Sequence, residues 1–409
     1  MSQLLQRAAP ASWRHTPPAG RQTAAHGAIG AFKPRLAEAP TDLLRDRGVP
    51  RIVIGFLSSP SGLGQSARLA ATALRNDGYR VLGYDLGRYF HEIADNIVHG
   101  LPDAAGWRGP AHVLLVIGAP YAAFALASLG RDFLKEKLVT GYWAWELPRV
   151  PRSWERGLPV VHEIAVPSLF TANAVCALGA GQPIRVCPHP VVLDHPPVSP
   201  MVAGAPRPEQ PFTVVSTLSV ASGFERKNPL GLIRAFRLAF GNRRDRRLRM
   251  LVTAAEQHAL ARTAILRAVG QARNIEIAWR PLSRPAFLQW WGTPDAYALL
   301  HRAEGFGLPL AEAMCAGLPV VATGWSGNMD FMTEENSLPV RHRLRDVVDP
   351  QRKYLPTEGQ WAEPDIEHAA EHLQTLASDP DLARQIGATA RRAMCVRLTG
   401  QGFCRNLLG

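Results

Sequence analysis

The feature that most constrains this chain is an alternation that occurs twice: short apolar runs, each long enough for one buried strand, separated by stretches with helical spacing. Arg51–Leu57 (RIVIGFL) reads as a strand, Ser66–Arg75 as a helix, Asn76-Asp77-Gly78 as its stop, and Arg80–Tyr84 as the next strand. This is a βαβ unit. Further strands are predicted over His112–Gly118, Leu138–Trp143 and Ile164–Pro167. Runs this apolar, with helices between them, imply a parallel sheet covered on both faces.

A Pro-rich stretch, His189 to Pro211, interrupts the alternation, and the scheme then repeats. Its strands are predicted over Phe212–Leu218, Arg249–Thr253, Asn274–Trp279, Ala296–His301 and Pro319–Thr323, with helices such as Asn228–Phe240 and Asp365–Ala377. A length of 409 residues also suits two domains. The expected organisation is a basic tail without a fold over residues 1–47, a Rossmann-like domain over 48–195, a linker over 196–211, a second Rossmann-like domain over 212–385 and a helical segment over 386–409. The tail is rich in Pro, Ala, Arg and Gln and has almost no apolar periodicity. Ligands of doubly wound sheets bind beyond the carboxyl ends of the strands, so the expected site is a central cleft between the two domains.

The balance of 46% hydrophobic to 20% charged residues is that of a globular protein, and no apolar run approaches the roughly 18 residues of a membrane span. Five widely separated cysteines without CxxC spacing suggest neither a disulfide framework nor a zinc site, which fits a reducing cytoplasm. A formal net charge of +12 calls for an anionic partner: nucleic acid, an acidic membrane surface or a phosphorylated substrate. Charge alone does not choose among them.

The chemistry concentrates in Leu299–Asp330, LLHRAEGFGLPLAEAMCAGLPVVATGWSGNMD. A strand ends at His301, Gly305 and Gly307 permit tight turns, Pro309 suits the first position of a helix, and Gly317 stops that helix. The amides of Phe306, Gly307 and Leu308 then point from a helix start into the cleft, where they can hold phosphate or sugar oxygens. Glu304 lies on the turn and Glu312 in the first turns of the helix, so the two carboxylates face one ligand from different levels.

Glu304-GFGLPLA-Glu312, together with Gly317-Leu-Pro-Val-Val-Ala-Thr, Ser326-Gly-Asn and Phe224-Glu-Arg-Lys-Asn-Pro, resembles the retaining family 4 glycosyltransferases from about Arg51 onward. The resemblance implies an α/β chain of GT-B type, two doubly wound Rossmann-like domains facing a central cleft. It implies that Glu312 holds the donor ribose, Glu304 contacts the donor sugar, and the Phe306–Leu308 amides contact sugar and distal phosphate. Arg226 and Lys227 resemble the basic pair that neutralises the diphosphate leaving group. Tyr142–Pro148 (YWAWELP) resembles bacterial mannosyltransferases of polysaccharide synthesis, and it lacks the histidine that many relatives carry near this point. Trp143, Trp145 and Glu146 are therefore candidates for the acceptor or sugar pocket, with aromatic core packing the competing reading for the tryptophans.

Around this constellation, Gly64 in the loop Ser58–Gln65 is a candidate for approach to the donor phosphates, or simply a turn residue. His301 is a candidate donor contact, or a hydrogen-bond partner within the fold. Asn328 and Asp330 read equally as ligand contacts and as caps; Trp279-Arg280 borders the base or packs in the core, and Trp290-Trp291 reads as packing. No Asp-x-Asp motif and no His/Cys cluster suggests a metal, and no cofactor is expected, since the nucleotide diphosphate sugar is a substrate. The expected activity is metal-independent transfer of a hexose from that donor, GDP-mannose before a UDP-sugar, to a saccharide or lipid-linked acceptor. The expected setting is the cytoplasm, with peripheral contact to an anionic membrane and no nucleic acid. A nucleotide-sugar epimerase on the same fold and a non-enzymatic anion- or nucleic-acid-binding protein are the alternatives.

Overall fold

The computed structural model describes residues 36, 41–44, 46–87, 97–191, 210–279, 294–354 and 359–409. In the amino-terminal half the strands are β1 (Arg51–Gly55), β2 (Val81–Asp85), β3 (Ala111–Val116), β4 (Lys137–Tyr142), β5 (Glu163–Val166) and β6 (Ile184–Val186). Helices α1 (Gly62–Asn76), α2 (Ala122–Ala127) and α3 (Leu169–Cys176) lie between them in the chain. The strands form one parallel sheet in the order β2-β1-β3-β4-β5-β6. Apolar clusters cover both faces, one around Ile52, Ile54 and Val113 and the other around Val53, Leu114 and Val116, because successive residues of a strand point to opposite sides.

The second half runs β7 (Phe212–Ser219), α4 (Phe224–Lys227), α5 (Pro229–Phe240), β8 (Arg246–Thr253), α6 (Ala259–Val269), β9 (Ile275–Ala278), β10 (Ala296–Leu299), α7 (Leu308–Cys315), β11 (Val320–Thr323) and β12 (Leu338–Val340). Its sheet is also parallel, in the order β12-β11-β10-β7-β8-β9. The chain winds from β7 through β8 to β9, then crosses back to place β10 on the other flank of β7. The crevice at that reversal, beyond the carboxyl ends of β7 and β10, is where such sheets hold ligands. It receives α4 from one strand and the approach to α7 from the other.

Two features depart from the simple repeat. An antiparallel hairpin, β13 (His342–Asp346) with β14 (Gln360–Pro364), follows β12. Then come α8 (Ile366–Ser378), α9 (Pro380–Arg397) and α10 (Gly400–Leu408), of which α10 returns to the first domain and packs on α1. Phe403, Cys404, Leu407 and Leu408 join the core cluster of Val53, Leu57, Ala67 and Leu74. The end of the chain thus completes a face of the first sheet. Among the described residues no helix is long and apolar enough to cross a membrane.

Leu407 is fully buried in this interface. Leu407→Ala should therefore cost about 2–5 kcal/mol. Urea denaturation followed by circular dichroism measures this, and an unchanged midpoint and slope would show that α10 contributes nothing to the first core.

Candidate active site

The site is built by two chain reversals. The first follows β7, where Gly223 takes φ +110° and opens α4. Asn228, left-handed at φ 48°, ends α4 and caps α5: its Oδ1 accepts from the Gly231 amide at 3.1 Å and its Nδ2 donates to the Leu300 carbonyl at 2.9 Å. One side chain thereby pins the Arg226-Lys227 turn to the end of β10. The hairpin braces it from outside, because the Phe224 amide donates to Gln351 Oε1 at 2.6 Å and Lys353 Nζ donates to the Ala221 carbonyl.

The second reversal follows β10. The Glu304 amide donates to Ser326 Oγ at 2.8 Å, and its carbonyl accepts from the Gly327 amide at 2.9 Å. Its carboxylate Oε1 accepts from Lys227 Nζ at 2.5 Å and lies 3.0 Å from an Arg226 terminal nitrogen. Glu146, after β4 in the other domain, lies 3.7 Å from the second terminal nitrogen of Arg226. Two carboxylates and two cations from both domains therefore meet in one neutral cluster. Burial alone would raise the Glu304 carboxyl, but Lys227 and then Arg226 bring it down to about 2, so it is ionised. Burial lowers the Lys227 ammonium from its ordinary value against the pull of Glu304.

Arg226 is more committed than the sequence reading supposed. Its Nε and one terminal nitrogen donate to the Ser222 carbonyl at 3.2 and 2.8 Å, and the other terminal nitrogen donates to the Ala303 carbonyl at 2.8 Å. With both carboxylates added, the guanidinium is held on every side. Lys227 gives one of its three protons to Glu304, so it is the better placed of the two to meet a phosphate.

Between Glu304 and α7 the backbone passes through a tight cradle. A Cβ on Gly305 would lie 2.8 Å from the Trp145 carbonyl oxygen, and a Cβ on Gly327 would lie 2.2 Å from the Gly305 oxygen. The Gly305 carbonyl accepts from Ser168 Oγ at 2.6 Å and Thr171 Oγ1 at 3.2 Å, at the start of α3 in the first domain. The Leu169 amide donates to Asp330 at 2.6 Å, so Asp330 bridges the domains. Phe306 buries its ring between His189 and Phe331, with centroids 4.9 and 5.0 Å away. Gly307, at φ +96°, opens α7 without any side-chain cap; Pro309 has no amide proton and the Leu310 amide donates to the Gly307 carbonyl at 3.0 Å, so within the first turn it is the Leu308 amide that is left for a ligand. Glu312 lies half-buried one turn further along α7.

Other candidates sit elsewhere. Trp143 is fully buried in the first core, edge-on to Trp154 at 5.7 Å, and is a packing residue rather than part of a sugar pocket. Trp145 is half-buried, edge-on to Trp154 and Tyr354, so the hairpin's Tyr354 reaches across to the first domain. The Gly64 amide is used by the Ser61 cap at 3.2 Å, and a Cβ there would lie 2.3 Å from the Ser59 oxygen; its glycine serves the turn of its own loop rather than a phosphate. His301 is fully buried beneath the site, and burial lowers its pKa. The Asn328 amide nitrogen donates to the Thr323 carbonyl, so its oxygen accepts from His301 Nε2 at 3.0 Å. His301 thus orders the Ser326–Asn328 turn instead of touching the cleft. Trp279 is half-buried beneath Arg262, with the guanidinium 5.1 Å from its ring. Arg280, Trp290 and Trp291 lie outside the described residues. Ser168, Thr171, Gln351 and Tyr354 escaped the sequence reading. Ser168-x-x-Thr171 is legible as a cap, but its partner lies 137 residues away. Among the described residues no group of three or more His, Cys, Asp or Glu is placed to hold a metal ion.

Two parallel doubly wound sheets meeting at a cleft are the fold of the GT-B class of glycosyltransferases. The chain belongs to the family described as family 4 glycosyltransferases in conflict systems, whose sequence model matches residues 175–407. No curated protein matches it. Among solved structures, HepE of Anabaena in complex with UDP and glucose is similar at 14% identity and TM-score 0.60, over 88% of this chain and 98% of that one. Sucrose-phosphate synthase of Thermosynechococcus elongatus is similar at 16% identity and TM-score 0.60, over 88% and 97%. A TarM variant of S. aureus, bound to fondaparinux, alpha-GlcNAc-glycerol and UDP, is similar at 13% identity and TM-score 0.52, over 73% of this chain; the chain spans only 54% of its length.

The depressed Glu304 carboxyl has a consequence for stability. An unfolded carboxyl takes up its proton near 4.5, whereas the folded one waits until about 2, so the unfolded state binds more protons in that window. The contribution of Glu304 is complete above about 4.5 and is lost as pH falls toward 2. Glu304→Gln should be destabilised by about 3–5 kcal/mol at neutral pH, because it strands two buried cations. Chemical denaturation from pH 7 downward should show the gap to the unaltered chain closing below about 4.5, and a gap independent of pH would contradict the cluster.

Proposed function

We propose that this glycosyltransferase moves a hexose from a nucleotide diphosphate donor to a saccharide or lipid-linked saccharide acceptor, with retention at the anomeric carbon and without a metal. The observation that carries this reading is Lys227 and Glu304 in contact at the uncapped start of α7, with Glu312 on the same helix. The donor lies along α7 with its ribose at Glu312, its diphosphate at Lys227 and the Leu308 amide, and its sugar toward Glu304. Arg226 acts through Glu304, holding the carboxylate in place. The bond from anomeric carbon to phosphate oxygen breaks, the acceptor oxygen forms its bond on the same face, and the departing diphosphate takes the acceptor proton. Glu304 positions and stabilises charge in this scheme and does not attack.

Mannose is the favoured sugar and GDP-mannose the favoured donor, on the resemblance of Tyr142–Pro148 to mannosyltransferases of polysaccharide synthesis. The UDP named with HepE and TarM supports a uridine nucleotide as second choice. Glu146, at the mouth of the cluster with its side chain 29% exposed, is the first-domain group assigned to the acceptor or sugar, with Trp145 beside it. The net charge of +12 supports work at the cytoplasmic face of an anionic membrane.

Calorimetry with GDP and UDP, which lack the sugar, tests the donor assignment. Glu312→Ala should bind the preferred nucleotide roughly 10- to 150-fold more weakly, the loss of a hydrogen bond to a charged group. Glu304→Gln should bind it close to normally while turnover falls by a similar factor. Equal binding by the two variants, or weaker binding by Glu304→Gln, would overturn the placement of ribose and sugar.

Activity should also survive EDTA, since Lys227 and the Leu308 amide meet the leaving-group charge. A strict requirement for added magnesium or manganese would refute this.

A further inference from the structure

Helices α5 and α6 lie side by side on the outside of the second domain, and their composition is unusual for outward-facing helices. An outer helix of a soluble domain ordinarily presents mixed charges to water. PLGLIRAFRLAF and ALARTAILRAV contain four arginines, no acidic residue and, apart from Thr263, no other polar side chain. The apolar residues are only partly consumed by the core. Leu238 is 57% exposed, Leu266 50% and Leu260 88%, while Leu232, Ile233, Phe236 and Ile265 face inward. Arg234, Arg237, Arg262 and Arg267 are all exposed.

Arg234, Arg237, Leu238 and Arg267 line one surface. Arg237 donates to the Ala268 carbonyl at 2.8 Å and ties the two helices together. Between them lies an open groove of about 730 Å³ lined by Arg234, Arg237, Arg267, Leu230, Leu238 and small α6 residues. Residues 229–276 hold ten arginines against three acidic residues, so this segment carries most of the chain's net charge of +12. Asp245 pairs with Arg243 and Arg246 and Glu276 with Arg247 and Arg249, at β8 and the turn before it, and Glu256 precedes α6.

We infer that the α5–α6 face is the surface by which the chain docks on an anionic phospholipid bilayer, an inference that rests on the membrane reading above. Charge selects an anionic partner, and the leucines select the kind. A polyanion such as nucleic acid offers nothing to Leu238 and Leu266, whereas a bilayer takes apolar side chains at acyl depth while arginines reach headgroup phosphates. The topology suits this use. Both helices run antiparallel to the strands, so Leu238, Leu266 and Arg267 lie toward the amino ends of the strands and away from the cleft, which stays clear for its substrates.

Co-sedimentation of the full chain with vesicles of phosphatidylcholine, alone or with 30% phosphatidylglycerol in round proportion, tests the face. Each arginine near such a surface is worth about a 5-fold change in partition, so Arg234→Ala with Arg267→Ala should weaken binding to the anionic vesicles about 30-fold. Arg392→Ala with Arg405→Ala, exposed positions on α9 and α10, removes the same charge elsewhere and should leave binding within a few-fold. Leu238→Asn with Leu266→Asn should abolish the part of the binding that persists at high salt, with nucleotide binding retained as the check of folding. If the unaltered chain ignores anionic vesicles, the membrane reading itself fails. If it binds them and both arginine pairs lose equally, or the leucine pair changes nothing, this face is not the dock. Oligonucleotide binding lost with the α5–α6 arginines, without vesicle binding, would reassign the face to nucleic acid and overturn the inference.

Discussion

The Glu304 carboxylate, buried against Lys227 at 2.5 Å and Arg226 at 3.0 Å, is the interaction on which the arrangement of the cleft depends. A carboxylate at that depth is tolerated only when its charge is met and its geometry is fixed. The fold meets both conditions by importing groups from distant parts of the chain. The cations come from the turn after β7, and the carboxylate comes from the turn after β10. Asn228 locks those two turns together, and the hairpin clamps the outer one through Gln351. Glu146 completes the cluster from the first domain. The cluster exists only once β7 and β10 are paired and the end of β4 is brought against them.

The glycines of this region follow from the same requirement. Bringing Glu304 under α4 forces the next residue against the backbone of Trp145, where a Cβ would have no room, and brings Gly327 still closer to the Gly305 oxygen. Gly307 must then turn with positive φ to start α7. Ser168 and Thr171 meet the Gly305 carbonyl from the other domain, so a buried backbone acceptor is satisfied only when the domains are together. Packing at the cleft and contact between the domains are thus one structural fact.

Much of this was legible in the sequence because parallel strands buried on both faces leave apolar runs that little else resembles. The two sheets, α5 with its Asn228 cap, and α7 flanked by Gly307 and Gly317 all carry such local signals. What was missed lacks them. β6 and β12 have three residues each, and β13, reading HRLRD, has the composition of a solvated loop. Trp143 and Trp145 are two apart, which in an extended strand would place them alike. The chain leaves the strand at Tyr142, however, and only Trp143 is swallowed by the core. Arg226 was legible as a cation beside the site, but its commitment to the Ala303 carbonyl depends on a turn 77 residues away.

The neutrality of the cluster also bears on how a donor would be received. Two carboxylates cancel two cations, so an arriving diphosphate meets no naked positive pocket. On the proposed reading it meets the remaining protons of Lys227 and the Leu308 amide at the start of α7, groups whose positions are fixed before it arrives. Preorganised dipoles of this kind favour the separated charge of a leaving diphosphate without the reorganisation water would require. On the proposed reading, Glu304 then has a further use. As negative charge grows on the departing phosphate, Lys227 can lean toward it, and Arg226 remains to hold the carboxylate that Lys227 partly releases. A single cation could not serve both states, whereas a committed arginine beside a less committed lysine can.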